Sequence, residues 1–130
     1  MVIDSSAIAA ILFDEPDASA YISAILNDVT RLMSAATLVE ISMVVMRLLS
    51  PDAIVALDAL LARLRVVIVP FDEEQALLAR DGFRRFGRGR HKAGLNYGDC
   101  LCYALAKQTG EPLLFKGSDF GRTDIGVAQV

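Results

Sequence analysis

Short apolar runs alternate with longer amphipathic stretches along this chain. Four of the short runs predict strands, and they cover residues 1–3, 32–34, 66–69 and 113–115. The longer stretches carry apolar residues at helical spacing, as Leu38, Ile41 and Val45 do. This alternation is typical of an α/β fold. With a fifth edge strand at 127–130, we expect a mostly parallel sheet of four to five short strands flanked by helices.

Helix boundaries follow from capping and stop signals. Ser5 or Ser6 can cap the first helix, because a serine side chain accepts hydrogen bonds from unpaired amides. Asp72 is expected to cap the fifth and Asp99 to open the sixth, which Gly110 ends. Helices are therefore predicted near residues 5–13, 18–26, 37–49, 51–65, 73–86 and 99–107. The β-branched residues at 66–69 favour a buried parallel strand.

Length and composition favour one domain spanning residues 1–130, since this length can bury a substantial core. Hydrophobic residues make up 54% of the chain, and its mean hydropathy is +0.44. No run approaches the ~18 apolar residues of a membrane span, so we interpret the excess as buried interface. No basic segment precedes the apolar stretch after Asp4, so we expect no secretory signal and a cytoplasmic protein.

The two cysteines, Cys100 and Cys102, are two positions apart on a predicted helix and therefore point to different sides. A disulfide between them is not expected. A zinc site would need more ligands of this kind than two cysteines and one histidine. We interpret both cysteines as small apolar packing residues.

The charge is unevenly distributed. The net charge is −3, which by itself does not indicate a nucleic-acid ligand. Between residues 80 and 92, however, six cations face a single acid, Asp81. The cations are Arg80, Arg84, Arg85, Arg88, Arg90 and Lys92, interleaved with Phe83 and Phe86. A basic segment on an acidic protein suggests contact with phosphates, and a solvated charge run is the alternative.

Four carboxylates suggest a divalent-metal site: Asp4, Glu40, Asp99 and Asp119. Two of them follow predicted strands, whose carboxyl ends line the ligand crevice of open α/β sheets. Mg²⁺ and Mn²⁺ prefer such oxygen ligands, and Asp4 and Asp99 are the candidate ligands. The alternatives are helix caps for Asp4 and Asp99, a solvated face for Glu40, and a turn for Asp119. Asp124 is a weaker substitute for Asp119.

Four motifs occur in order along the chain: Val2-Ile3-Asp4-Ser5-Ser6, the mid-helix Glu40, Asn96-Tyr97-Gly98-Asp99-Cys100, and Leu114-Phe115-Lys116-Gly117-Ser118-Asp119-Phe120. In their order and spacing the chain resembles a PIN-domain ribonuclease, most closely the VapC toxins of type II toxin-antitoxin systems. The resemblance implies a Mg²⁺- or Mn²⁺-dependent endoribonuclease that forms a homodimer and is inhibited by a VapB-type antitoxin. Transfer or ribosomal RNA would be its substrate. The resemblance also implies an acidic centre at Asp4, Glu40, Asp99 and Asp119, with Ser6 and Asn96 as supporting residues.

On this interpretation the basic segment faces RNA. The expected RNA-binding cations are Arg84, Arg85, Arg88, Arg90, Lys92 and Lys116. His91 could contact a phosphate, and Phe86 and Tyr97 could stack on an unpaired base. Two other classes stay open. A non-catalytic RNA-binding or antitoxin-sequestering module would need the basic loop but not every acid, and a receiver-type switch is disfavoured because Pro70 follows its middle strand.

Overall fold

Four short parallel strands form the centre of the protein in the computed structural model, which describes residues 1–130. In chain order they are β1 (Val2–Ile3), β2 (Leu32–Ser34), β3 (Val67–Val69) and β4 (Leu113–Leu114). Their order across the sheet is β3-β2-β1-β4, and every pairing is parallel. The α/β architecture predicted from the sequence is confirmed. Because β1 is an inner strand, the residue that follows it lies near the middle of the row formed by the carboxyl ends of the strands.

Six α-helices surround the sheet: α1 (Ser5–Leu12), α2 (Ala18–Asn27), α3 (Ala35–Leu48), α4 (Ile54–Arg63), α5 (Glu73–Phe86) and α6 (Tyr97–Thr109). All six were predicted, with boundaries displaced by a few residues. The segment predicted as one helix at 51–65 begins as a 3₁₀ turn, Pro51–Ala53, before α4. A second 3₁₀ turn covers Phe120–Arg122. None of the helices is long and apolar enough to cross a membrane.

The residues predicted to cap or open two of the helices are wrong. The cap of α1 is Asp4 instead of Ser5 or Ser6, and its carboxylate accepts a hydrogen bond from the Ser6 amide at 2.9 Å. Asp99 does not open α6, because Asn96 caps it. The Asn96 side chain accepts from the Asp99 amide at 3.0 Å, and the Asp99 carboxylate accepts from the Asn96 amide at 2.8 Å. This reciprocal pair satisfies two free amides and holds Asp99 in the first turn.

The other two caps are confirmed. The side chain of Asp72 accepts a hydrogen bond from the Gln75 amide at 2.8 Å at the start of α5. Gly110 ends α6 with φ of 72°, a left-handed conformation that glycine adopts at little cost.

The prediction that β3 is buried is wrong. β3 is an edge strand, and 57% of Val67 and 37% of Ile68 are exposed. β-branched residues favour strands in both settings, so composition could not separate an edge from a centre. The fifth strand predicted at 127–130 is reduced to one parallel bridge between Val127 and Leu113.

The core lies on both faces of the sheet, because Val2 and Ile3 in β1 point to opposite sides. Ile3 belongs to a cluster with residues of α1 to α4, including Ile8, Ile25 and Ile41. Val2 belongs to a second cluster built largely from α6. The carboxyl end of β1 therefore opens between α1 and α3 on one face and α6 on the other.

Candidate active site

Asp4 is held at the carboxyl end of β1 by several donors. Its side chain is buried, and its Oδ2 accepts hydrogen bonds from both the amide and the hydroxyl of Ser6. Its Oδ1 accepts from the thiol of Cys102 at 2.9 Å. The Ser6 hydroxyl also accepts from the Lys116 amide at 2.9 Å, which ties the loop after β4 to this site. The carboxylate of Asp4 is thus fixed in orientation.

Glu40 enters the site from α3. The side chain is partly buried, and its Oε2 has no hydrogen-bond partner although it is shielded from solvent. Burial raises the pKa of Glu40, and the negative charges of Asp4 and Asp99 raise it further, whereas a hydrogen bond from the Ser5 side chain acts in the opposite direction. Gly98 of α6 lies against this carboxyl group. A β-carbon at position 98 would lie 2.8 Å from Cδ of Glu40. Glu40 therefore sits among the other acids and not on a solvated helix face.

Asp99 enters from the first turn of α6. Burial is the main cause that raises the pKa of Asp99, and the charges of Asp4 and Asp119 add to it. The hydrogen bond from the Asn96 amide and the charge of Arg88 act in the opposite direction. Asp99 thus lies where the acidic centre meets the basic loop.

The fourth acid lies at the outside of the group. Asp119 is exposed, precedes the turn at Phe120–Arg122, and its charge acts on Asp99. Asp124 is engaged elsewhere. Its carboxylate accepts from the Tyr103 hydroxyl at 2.9 Å, from Lys107 at 3.0 Å and pairs with Arg85 at 2.9 Å. Although burial opposes the change, these hydrogen bonds lower the pKa of Asp124 to about 2.

The acidic centre fits a hard divalent cation. All of its candidate ligand atoms are oxygens. The buried Oε2 of Glu40 is a hydrogen-bond acceptor without a donor in the protein. The structure does not gather three or more acidic, histidine or cysteine side chains into a ready coordination cage. Mg²⁺ is usually held by one or two carboxylates plus waters, so an open arrangement suits it.

The expected RNA-binding cations fall into two groups. Arg84, Arg85 and Lys116 pair with acids: Arg84 with Asp81 at 2.6 Å, Arg85 with Asp124, and Lys116 with Glu15 and Asp17. Arg88, Arg90 and Lys92 form no ion pair and are exposed on the loop after α5. This loop is closed by a bridge between Gly87 and Leu95. Arg122 packs against it, donating to the Lys92 carbonyl at 3.0 Å.

The aromatic side chains and the histidine near the loop differ in exposure. Phe86 is buried in the core, its ring 5.2 Å from that of His91 and 5.9 Å from that of Tyr103, so it cannot stack on a base. Tyr97 is 80% exposed beside Asp99. His91 is exposed, and its Nδ1 accepts from the Ala93 amide at 3.1 Å, which leaves Nε2 for other contacts.

Sequence reasoning missed one part of the site. Cys100 and Cys102 are both free and buried, and packing accounts for Cys100 alone. Cys102 also lies 3.2 Å from the Thr37 hydroxyl and 2.9 Å from Asp4. Burial raises the pKa of the Cys102 thiol well above its usual value, and the charge of Asp4 contributes. The spacing of three between Asp99 and Cys102 could have indicated that they share a helix face.

Comparison with known proteins identifies the family of this chain. The PIN domain family model matches residues 1–126. Ribonuclease VapC of Mycolicibacterium smegmatis is 50% identical over 125 residues, which cover 96% of this chain and 97% of the relative. Ribonuclease VapC30 of Mycobacterium tuberculosis is 49% identical, with 96% and 95% covered. The chain belongs to the VapC family of PIN-domain proteins.

The fold is also that of a solved VapC structure. The crystal structure of Mycobacterium tuberculosis VapC20, described as a toxin that cleaves the sarcin-ricin loop, superposes with a TM-score of 0.76. The match covers 95% of each chain at 15% sequence identity. At this identity the likeness establishes a shared fold.

Proposed function

We propose that the protein is the toxin of a type II toxin-antitoxin system and cleaves structured RNA as a Mg²⁺- or Mn²⁺-dependent endoribonuclease. The observation that carries this proposal is the buried Oε2 of Glu40, which has no hydrogen-bond donor and lies near enough to Asp4 and Asp99 for their charges to raise the pKa of Glu40. Burying such a group is costly unless a cation or a reacting group satisfies it. Relatives named ribonuclease VapC support the same activity.

Each acid would have a distinct task. Asp4 and Asp99 would hold the cation, which when bound generates a nucleophilic water and stabilises charge on the phosphodiester. Glu40 would accept the proton of the attacking water at Oε2, the buried oxygen that has no hydrogen-bond donor. Attack by the oxygen of that water on phosphorus would break the bond to the leaving ribose oxygen, which would take up a proton from solvent. Asp119 would complete the acidic centre from its outer side, with Ser6 and Asn96 orienting the acids.

The unpaired cations would direct RNA to this centre. Arg88 is near enough to Asp99 to affect its pKa, so a phosphate bound at the loop would lie next to the acids. Tyr97 offers an exposed ring on which an unpaired base can stack. Lys116 and the paired arginines would contribute mainly by shaping the surrounding surface.

Family membership supports the proposed partners. We expect a cognate VapB-type antitoxin and a homodimer, in the cytoplasm, with residues 1–130 acting as one domain. Apolar side chains on α3 remain exposed, including Val39 at 59%, Met43 at 63% and Leu48 at 58%. Such a face is suited to an amphipathic partner helix or a second copy.

Purified protein is expected to cleave a structured RNA when Mn²⁺ or Mg²⁺ is present. Chelation should stop cleavage because the acids alone cannot activate water, and adding Mn²⁺ back should restore it. Labelled RNA separated on a denaturing gel measures both steps. RNA that is bound but stays intact at every metal concentration would favour the non-catalytic binding module instead.

Replacing Arg88 and Arg90 together with alanine is expected to weaken RNA binding and flatten its salt dependence. Two lost phosphate contacts should reduce the slope of log K against log salt by about 1.5 to 2. Arg84→Ala is the matched control, because the charge of Arg84 is already compensated by Asp81. Filter binding at several salt concentrations measures the slopes. An equal slope for the double variant and the wild type would assign these arginines to a solvated surface.

A further inference from the structure

The most enclosed polar contact in the protein joins Cys102, Thr37 and Asp4. Cys102 and Thr37 have no exposed surface. The Cys102 sulfur lies 2.9 Å from Oδ1 of Asp4 and 3.2 Å from Oγ1 of Thr37. These contacts connect α6, α3 and the end of β1, the three elements that supply the inner acids.

The chemistry of the groups fixes the direction of these hydrogen bonds. An ionised carboxylate can only accept, so the thiol must donate to Asp4. The sulfur is then left as an acceptor for the Thr37 hydroxyl. The result is a short chain of donors that begins at Thr37, passes through Cys102 and ends on Oδ1 of Asp4.

The hydrogen bonds that each oxygen of Asp4 accepts distinguish the two oxygens. Oδ2 already accepts from the amide and the hydroxyl of Ser6, which occupy its two lone pairs. Oδ1 accepts from the Cys102 thiol alone, so one of its lone pairs is unused. Oδ1 is therefore the oxygen of Asp4 that can bind a cation, and Cys102 sits on that same oxygen.

Helical spacing places the donor chain directly beside the other two acids. Thr37 is three residues before Glu40 on α3, and Cys102 is three residues after Asp99 on α6. Residues three apart share a helix face, so each donor lies one turn from an acid on its own helix. The donor chain therefore lies on the buried side of the acidic centre.

We propose that Cys102, supported by Thr37, is a positioning residue that orients Oδ1 of Asp4 for the divalent cation. The inference rests on the proposed metal-dependent function. It assigns to a buried cysteine the role of holding a metal ligand in place, as outer partners of metal ligands commonly do.

Binding of Mn²⁺ in the absence of RNA tests the inference without relying on activity. Cys102→Ala is expected to weaken Mn²⁺ binding by roughly 10- to 100-fold. Cys102→Ser keeps a donor and should bind within about threefold of the wild type. Thr37→Val, which keeps the shape of the side chain, should weaken binding by up to about tenfold. Cys100→Ala is the matched control and should leave binding unchanged. Electron paramagnetic resonance of free Mn²⁺ gives the dissociation constants.

Infrared spectroscopy tests the thiol contact itself in the metal-free protein. In the Cys100→Ala variant Cys102 is the remaining thiol, and its S–H stretching band should be shifted to low frequency by the bond to the carboxylate. Adding Asp4→Asn should move the band towards that of a weakly bonded thiol. A band that does not respond to Asp4→Asn would overturn the contact.

The outcomes separate the inference from the proposed function. If the wild type binds Mn²⁺ and Asp4→Asn does not, but Cys102→Ala and Thr37→Val bind normally, only the positioning role is overturned. The same holds if Cys102→Ser binds as weakly as Cys102→Ala, because packing would then explain both. If the wild type binds no Mn²⁺, the metal-dependent function fails together with the inference. Thermal unfolding checks that each variant folds. If Cys102→Ala does not fold, the Mn²⁺ affinities of Thr37→Val and Cys102→Ser decide the outcome.

Discussion

An Asp4→Asn variant is expected to cleave RNA at least about 1,000-fold more slowly than the wild type, because several kcal/mol of charge stabilisation depend on the cation that Asp4 holds. The change removes the negative charge and keeps the shape of the side chain. Asparagine is as good a helix cap as aspartate, so the amide oxygen can still accept from Ser6 at the start of α1. The fold should therefore survive.

The choice of asparagine matters for interpretation. Asp4→Ala would also lose the cap, at a cost of about 1 kcal/mol, and a loss of activity could then reflect loss of stability. Asp58→Asn is a matched control, since Asp58 is exposed on α4 and outside the site. Initial cleavage rates and thermal unfolding of the three proteins measure the effect. An Asp4→Asn protein that cleaves within tenfold of the wild type would exclude Asp4 as an essential ligand.

Local patterns in the sequence were sufficient to predict most of the framework. Helical spacing together with capping and stop signals located all six helices, and the short run before Asp4 located β1. The acids at the carboxyl ends of strands could be grouped because parallel strands direct those ends to one edge. Glu40 could be added because its apolar helix made a solvated carboxylate unfavourable.

What the sequence could not supply depends on residues far apart in the chain. Lys116 meets Glu15 and Asp17, and Arg85 meets Asp124, so neither cation is free in the way that local charge counting suggested. Cys102 lies 98 positions from its acceptor Asp4, and no local pattern encodes that contact. The exposure of β3 likewise depends on strand order. Such features require the packed fold.

Gly98 illustrates how closely the acidic centre is packed, and Gly98→Ala is expected to reduce the cleavage rate by roughly 100-fold. A β-carbon at position 98 would lie 2.9 Å from Oε2 of Glu40 and would displace that carboxyl group. The displaced atoms are the far end of a flexible side chain, so the helices need not move. Alanine also favours a helix over glycine, so the free energy of unfolding should stay the same or rise. A slower enzyme with equal or greater stability is the expected result.

The double variant shows whether Glu40 carries this effect. If Gly98→Ala acts by displacing the carboxylate, it should cause little further loss in a Glu40→Ala background, so the two changes should be strongly non-additive. Gly126→Ala is the control, because a β-carbon there would make ordinary contacts of 3.6 Å with Pro112. Single-turnover cleavage rates and urea unfolding provide the two readouts. Additive losses in the double variant would mean that Gly98 acts through another group. A Gly98→Ala protein that cleaves as fast as the wild type would show that the position of Glu40 is not critical. Non-additivity would instead establish that the space left by a missing side chain on α6 is what allows a carboxylate from α3 to reach the acidic centre.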